Sequence, residues 1–417
     1  MPNRAEYLAR DAADPLAPLR EHFALPEGVI YLDGNSLGAL PRATADRLDA
    51  VIRREWGEGL IRSWNTAGWI DRPQHVGDRI ARLIGASPGE VHVADSTSIN
   101  LFKVLEVALA LVRSDAAERR LVVSERGNFP TDLYIAESVA HRHGCEFVLI
   151  DRDDLALHLD ERLAVLMLTH VDYRSGRLHD MPGTTRAAHA AGALMVWDLA
   201  HSAGAVPVDL KGSDAADAAD FAVGCGYKYL SGGPGAPAFA YVAARHQDGF
   251  DQPLTGWHGH AAPFAMSGTY APGPGVARAR IGTPALLSLL ALEAALTAFD
   301  GVDMAEVRRK SLSLTGFFQE CADSLLDGLG FTSATPRDPA RRGSQAALRH
   351  PEAYPLVAAL TARGVIGDMR APDLLRFGFN ALYVTHADVL RAVEELRDIA
   401  VSGAHRAPEF RERPTVT

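Results

Sequence analysis

Amines are scarce in this chain: four lysines, Lys103, Lys211, Lys228 and Lys310, stand against 38 arginines. Chemistry that needs an amine therefore has few places to sit. Cysteine is scarce as well. Cys145, Cys225 and Cys321 are too few and too scattered for a disulfide framework or a zinc site, so no metal is expected. No apolar run approaches the roughly 18 residues that span a membrane. Residues 1–18, MPNRAEYLARDAADPLAP, carry charge throughout, which argues against a secretory leader. A cytoplasmic protein is the expectation. Basic residues, 42 of them, are outnumbered by 52 acidic ones for a net charge of −10. Nothing electrostatic draws such a chain to nucleic acid or an anionic membrane. Arginine pairs such as Arg53-Arg54 and Arg341-Arg342 read as solvated faces. Internal repeats and low-complexity tracts are also missing.

What is there is the composition of a globular enzyme-sized chain, 417 residues and 47% hydrophobic, long enough for two or three domains. Pro41 to Trp56 and Val76 to Ile84 read as helices, the first opening on proline and the second stopping at Gly85. Then apolar runs at 91–94, 121–124, 146–150, 163–170, 193–200 and 221–225 read as buried strands. Amphipathic stretches at 99–112, 132–142 and 184–191 lie between them. Such alternation predicts an α/β fold, a mostly parallel sheet with helices on both faces. After Tyr241 a Gly-, Pro- and His-rich loop (251–275) leads to helices at 284–300 and 303–328. A smaller α+β region follows, with strands at 344–350 and 374–380 and helices at 352–363 and 386–401.

The lysines divide by surroundings. Lys103 falls on the polar side of an amphipathic helix, Lys211 in a polar loop, and Lys310 after Arg308-Arg309 on a charged helix face. All three are expected in solvent. Lys228 sits in GCGYKYLSGGPG, after an apolar strand and between two tyrosines. Apolar surroundings disfavour the charged ammonium and make the amine a nucleophile; a snorkelling lysine beside a Gly-rich turn is the competing reading.

Other segments supply what a pyridoxal-phosphate site needs: an amine, a carboxylate for the ring nitrogen, an aromatic face, and phosphate donors. Asp198 closes the strand ALMVWD, where parallel sheets present functional groups, though it would equally cap the segment after it. His201, three residues on, reads as a neighbour of the ring or phosphate, or as structural. Ser96, Thr97 and Ser98 precede a helix; that suits a phosphate and suits an ordinary N-cap still better. In NFPTD, Phe129 can stack on a ring and Asp132 can reach a ring substituent, while Thr131 or Asp132 can simply cap a helix.

Assembled, these segments resemble the fold-type I pyridoxal-phosphate-dependent transferase-like enzymes, and within them the kynureninase family. YLDGNSLG (31–38), NFPTD (128–132), DLAHSAG (198–204), GCGYKYLSGGPG (224–235), GWHGH (256–260), RIGTP (280–284) and LLRFGFN (374–380) run in the family's order over nearly the whole chain. The resemblance implies a seven-stranded, mostly parallel large domain at 61–300. An N-terminal arm and small-domain segment (1–60) and a small C-terminal domain (301–417) complete the chain. It implies that Lys228 carries pyridoxal 5′-phosphate and that Asp198 faces the ring nitrogen. Thr97, Ser98, Phe129, Asp132, Asp172, His201 and Tyr227 then contact the cofactor. Trp257 and Thr283 resemble residues that this family supplies from the neighbouring subunit, so a homodimer with a shared site is implied. Thr283, before Pro284 at an expected helix start, suits an anion. Arg376 resembles the residue that clamps the substrate's α-carboxylate, with Asn35 and Ser36 beside it. Tyr227 is the implied proton donor.

The implied reaction is hydrolysis of L-kynurenine or its 3-hydroxy form to anthranilate or 3-hydroxyanthranilate and L-alanine, in tryptophan catabolism and on the route to NAD. Two departures bear on which substrate is preferred. LIRSWN (60–65) lacks a histidine that some relatives carry, and His258 stands where other members often have an aromatic. A desulfurase of the same fold would need a reactive thiol on a mobile loop, but Cys225 falls in a strand and Cys321 in a helix. An aminotransferase is opposed only by GNSLG and GW-GH. A non-catalytic binding protein would be expected to have lost Lys228, Asp198 or Arg376.

Overall fold

The computed structural model describes residues 4–412. Its centre is a sheet of seven strands: β1 (Val91–Val93), β2 (Leu121–Glu125), β3 (Glu146–Ile150), β4 (Leu163–Thr169), β5 (Leu194–Asp198), β6 (Phe221–Cys225) and β7 (Ala238–Val242). Their order is β1-β7-β6-β5-β4-β2-β3. The pairings from β3 across to β6 are parallel, and β7 runs antiparallel to both its neighbours. Strand β7 has no counterpart among the runs read from sequence. It is buried on both faces like β4 and β6, but its run of alanines and aromatics has no β-branched residue before Val242.

Alternate strand residues go to opposite cores. Val165, Met167, Val196 and Val223 pack with the helices Thr97–Asp115 and Pro130–Arg142. Leu166, Leu168, Met195 and Trp197 pack on the other side with Ile80 and Ala188, from the helices Arg72–Leu83 and Met181–Ala190. This is the period of two, with helices covering both faces.

A second, antiparallel sheet holds β8 (Thr332–Ser333), β9 (Gln345–Arg349), β10 (Asp368–Arg370) and β11 (Leu374–Gly378), in the order β10-β11-β9-β8. Near it Ile30–Tyr31 pairs in parallel with Val365–Ile366, tying an early segment to a late one.

Several sequence expectations are corrected. The helix expected to Trp56 is α-helical over Arg42–Ala50 and then widens to i→i+5 winding over Val51–Gly59. Lys103 is not solvated. Its side chain is 1% exposed, and Nζ lies 2.6 Å from Asp95 Oδ2 and 2.7 Å from Ala279 O. The helix that carries it is enclosed on nearly every side, so its polar stripe faces protein rather than water. Lys310 is likewise buried, 2.6 Å from Asp14 Oδ2. Arg342 is buried as well and donates from Nε to Thr315 Oγ1 at 3.0 Å. Lys211 and Arg53-Arg54 are exposed as expected. Among the described residues no helix is long and apolar enough to cross a membrane, and no cluster of His, Cys, Asp or Glu could hold a metal ion.

Candidate active site

The carboxyl ends of β2, β4, β5 and β6 open on one cavity of about 390 Å³, the position where open α/β sheets bind ligands. Thr169 ends β4 and Asp198 ends β5 in register with it. Phe129 and Asp132 follow β2, Tyr227 and Lys228 follow β6, and Ser96, Thr97 and Ser98 arrive at the start of a 19-residue helix. His201 and Tyr173 complete the wall.

Lys228 owes its position to two close backbone approaches. Gly38, the last residue of GNSLG, donates its N–H to Tyr227 O at 2.8 Å. A Cβ on Gly38 would come within 2.3 Å of Lys228 O, so only glycine lets the N-terminal segment lie under the lysine's turn. Gly226 passes Pro237 O the same way, 2.5 Å from where a Cβ would stand. The Lys228 Nζ lies 3.2 Å from His201 Nε2. Burial first, then the charges of Lys228, Arg376 and Arg370, keeps the His201 ring well below its ordinary pKa, hence neutral and able to accept from the amine.

Two carboxyls face that amine. Asp198 Oδ1 accepts from Ala200 N–H at 2.8 Å and Oδ2 from the Thr169 hydroxyl at 3.3 Å. One oxygen thus caps the following turn, as the alternative reading had it, and the other faces the cavity side. Burial raises the Asp198 pKa, opposed by Lys228. Asp132 is raised well above its ordinary value by burial and then by the Asp198 charge, and its Oδ2 is buried without a hydrogen-bond partner. Asp132 is no cap: Phe129 holds that position and makes no side-chain bond. Ser96 is one, accepting from Ile99 N–H at 3.4 Å, while Thr97 and Ser98 lie in the first turn. Phe129 meets Tyr173 edge to face, ring centroids 5.3 Å apart.

Other expected residues lie off this cavity. The Asp172 carboxylate accepts from Ser175 N–H at 2.6 Å and tightens its own turn; the adjacent Tyr173, which sequence reasoning passed over, lines the wall. Arg376 is buried behind Tyr173 and donates to its carbonyl oxygen. Ser36 donates to Asp368 at 2.7 Å, and Asn35 is fully buried with both side-chain polar atoms unpaired. Thr283 lines a neighbouring cavity of about 250 Å³ that shares Asp95 and Gly235 with the first, and His258 lines it too. The helix expected from residue 284, just after Thr283, begins at Leu286. Trp257 lies in a third cavity, edge to face with the exposed Phe264. Asp368 and Arg370 were also missed; GDMR carries no local signal of what they join.

A kynureninase of Burkholderia pseudomallei (strain K96243) is 55% identical to this chain over 420 residues, covering all of both, and a kynureninase of Pseudomonas fluorescens is 51% identical over the same span. The chain belongs to the kynureninase family. A profile described as "Kynureninase C-terminal domain" also matches residues 307–396. Among solved structures, the apo cysteine desulfurase of Thermococcus onnurineus NA1 matches with a TM-score of 0.77 and 19% identity, covering 92% of this chain and 98% of that one. The cysteine desulfurase CsdA of Escherichia coli gives 0.76 and 21%, covering 93% and 98%. That likeness is one of fold, and it is the fold the kynureninase resemblance implied. The desulfurase reading fails on chemistry, because Cys145, Cys225 and Cys321 are all buried and burial raises each thiol's pKa, Cys321 to about 12.

The cavity suits pyridoxal phosphate on its own terms. An amine, two buried carboxyls with one unpartnered oxygen, an aromatic ring and a helix N-terminus converge there. Two buried carboxyls facing one amine are short of a positive charge, which a protonated ring nitrogen would supply.

Proposed function

We propose that this chain is a pyridoxal-phosphate-dependent kynureninase, hydrolysing L-kynurenine and its 3-hydroxy form to the corresponding anthranilate and L-alanine. One observation carries the proposal: 55% identity, end to end, to proteins named kynureninase. The chemistry lining the cavity supports it.

Thr97 and Ser98, with the free N–H groups of their helix start, would hold the phosphate. Phe129 would cover the ring, and Asp132 would meet a ring substituent. When bound, the cofactor supplies an aldehyde for amines and a ring that spreads negative charge developing at the substrate's α-carbon. Asp198 would pair with the ring nitrogen and hold it protonated. Lys228 Nζ would hold the cofactor's aldehyde carbon and would be the base that takes the proton from the substrate's α-carbon. His201 Nε2, neutral, accepts from Nζ and aims it. Water adds to the γ-carbonyl carbon, the Cβ–Cγ bond breaks, and the added oxygen leaves in the carboxylate of anthranilate. Tyr227 gives the β-carbon its proton. Its phenol is raised above the ordinary value by the Cys225 sulfur, by burial and by Asp198, so it enters the reaction protonated. Arg376 holds the α-carboxylate, with Asn35 and Ser36 alongside.

We infer further that two copies share their sites, the partner subunit's Trp257 and the partner subunit's Thr283 completing the phosphate side. Within one chain these two residues line other cavities, and the loop holding Trp257 exposes Phe264 and Met266. A cytoplasmic setting in tryptophan breakdown belongs to the same proposal. So does the division into 1–60, 61–300 and 301–417, which the Ile30–Tyr31 pairing with Val365–Ile366 supports. The test is fluorescence of released anthranilate from purified holoenzyme with each substrate. Absence of product from both rejects the proposal.

A further inference from the structure

Arg376 has little left to offer a substrate carboxylate by itself. Its Nε donates to Asp368 Oδ1 at 2.7 Å, Nη2 to Asp368 Oδ2 and to Ser36 Oγ at 3.0 Å, and Nη1 to Tyr173 O. Of the five N–H bonds of a guanidinium, one remains on Nη1. The side chain is 1% exposed. A carboxylate is held best by two parallel N–H groups.

Arg370 has what Arg376 lacks. Its Nη1 lies 2.9 Å from Asp368 Oδ2 and 2.7 Å from Met369 O, and its Nη2 makes only a long 3.4 Å contact with Ser36 Oγ. Its Nε has no partner among the described residues, and the side chain is 30% exposed. Strand geometry brings the three together. Asp368 pairs with Arg376 across β10 and β11, and Asp368 and Arg370, two apart on β10, project to one face. The pair stands behind the cavity wall: Arg376 donates to the carbonyl oxygen of the wall residue Tyr173 and lies 6.0 Å from its ring, and Asp368 ties Arg370 to Arg376. Charge favours an anion as well. Arg376, Arg370 and Ser36 hold the Asp368 carboxyl below its ordinary value against burial, whereas burial and the Asp368 charge push Asp33 up to about 7. Two guanidiniums thus face the Asp368 carboxylate, with Asp33 only partly ionised near neutral pH.

We propose that Arg370 is a second residue binding the substrate's α-carboxylate, and that Asp368 is the positioning residue that holds Arg370 and Arg376 side by side. The proposal takes an α-amino acid as the substrate, which rests on the kynureninase reading.

Holoenzyme variants Arg370→Ala, Arg370→Lys and Asp368→Asn are titrated with L-alanine and with ethylamine, the same amine without a carboxylate. Binding is read by calorimetry and by change in the visible spectrum. Arg370→Ala should weaken L-alanine on the order of 30-fold or more and leave ethylamine unchanged, with KM for L-kynurenine rising more than kcat falls. Arg370→Lys should keep part of the selectivity as a point charge. Asp368→Asn should lose selectivity in the same direction; if it does not fold, the two Arg370 variants decide. Unchanged L-alanine binding in Arg370→Ala, or equal weakening of both ligands, overturns the proposal. Carboxylate-selective binding that needs Arg370, in an enzyme releasing no anthranilate, would uphold it while sinking the kynurenine reading.

Discussion

At the scale of residues, burial does not by itself distinguish the reactive lysine among the four. Lys103 and Lys310 are more deeply buried than Lys228, yet each is bonded to an aspartate within 2.6 Å. Lys228 instead has a neutral imidazole as its hydrogen-bond partner and two carboxyls around the cavity. Lys228→Ala should therefore abolish the yellow visible band of bound cofactor along with turnover, and an unchanged spectrum would reject the assignment. Tyr227→Phe should keep the band and lose about a hundredfold or more in kcat, as expected when a general acid is removed; normal turnover would exclude the role. The Lys103–Asp95 pair gives an asymmetric prediction for stability. Asp95→Ala strands an ammonium that is 1% exposed, whereas Lys103→Met leaves a carboxylate that is 28% exposed and can be hydrated. The aspartate variant should lose roughly 3 kcal/mol in denaturant unfolding and the lysine variant clearly less. Equal losses would mean the burial difference is irrelevant.

At the scale of elements, the site depends on turns between strands rather than on the strands. GNSLG matters because Gly38 lies against the backbone of Lys228, a contact across 190 residues that no local pattern contains. Asp220, at the start of β6, fastens three elements. Its carboxylate accepts from His189 Nε2 at 2.7 Å, His246 Nε2 at 2.8 Å, Arg245 Nη2 at 2.7 Å and Met195 N–H at 2.8 Å. Burial works against the charge, but bonds from His189 and His246 hold the carboxyl well below its ordinary value, and His189 is raised chiefly by its bond to Asp220. The lowered carboxyl stabilises the fold above the unfolded value of about 4 and loses that contribution as pH falls. The raised histidine stabilises below about 6.5 and loses its contribution as pH climbs through its folded value. The gap in melting temperature between wild type and Asp220→Asn should thus be widest between about pH 4 and 6.5, near 3 kcal/mol in free energy. A gap independent of pH would contradict this coupling.

At the scale of the molecule, sharing of sites between two copies can be tested by complementation. Lys228→Ala lacks the amine but keeps Thr283; Thr283→Ala lacks the hydroxyl but keeps the amine. Mixed after dissociation and reassociation, the two should form hybrids that carry one intact site, regaining activity neither homodimer has. No recovery, or a monomer by light scattering, would end the shared-site proposal.

The sequence by itself determined the α/β alternation, the order of most strands along the chain, and the short list of groups around the cavity. Those signals are local: short apolar runs between amphipathic stretches, glycines beside a lysine, a carboxylate closing a strand. Only the tertiary structure decided that β7 closes the sheet antiparallel, that Lys103 and Lys310 are inside, that Tyr173 rather than Asp172 lines the wall, and that Asp368 joins two arginines. Each of these depends on what packs against a residue from far along the chain, and side-chain burial and pairing are set by that neighbour rather than by the residues on either side.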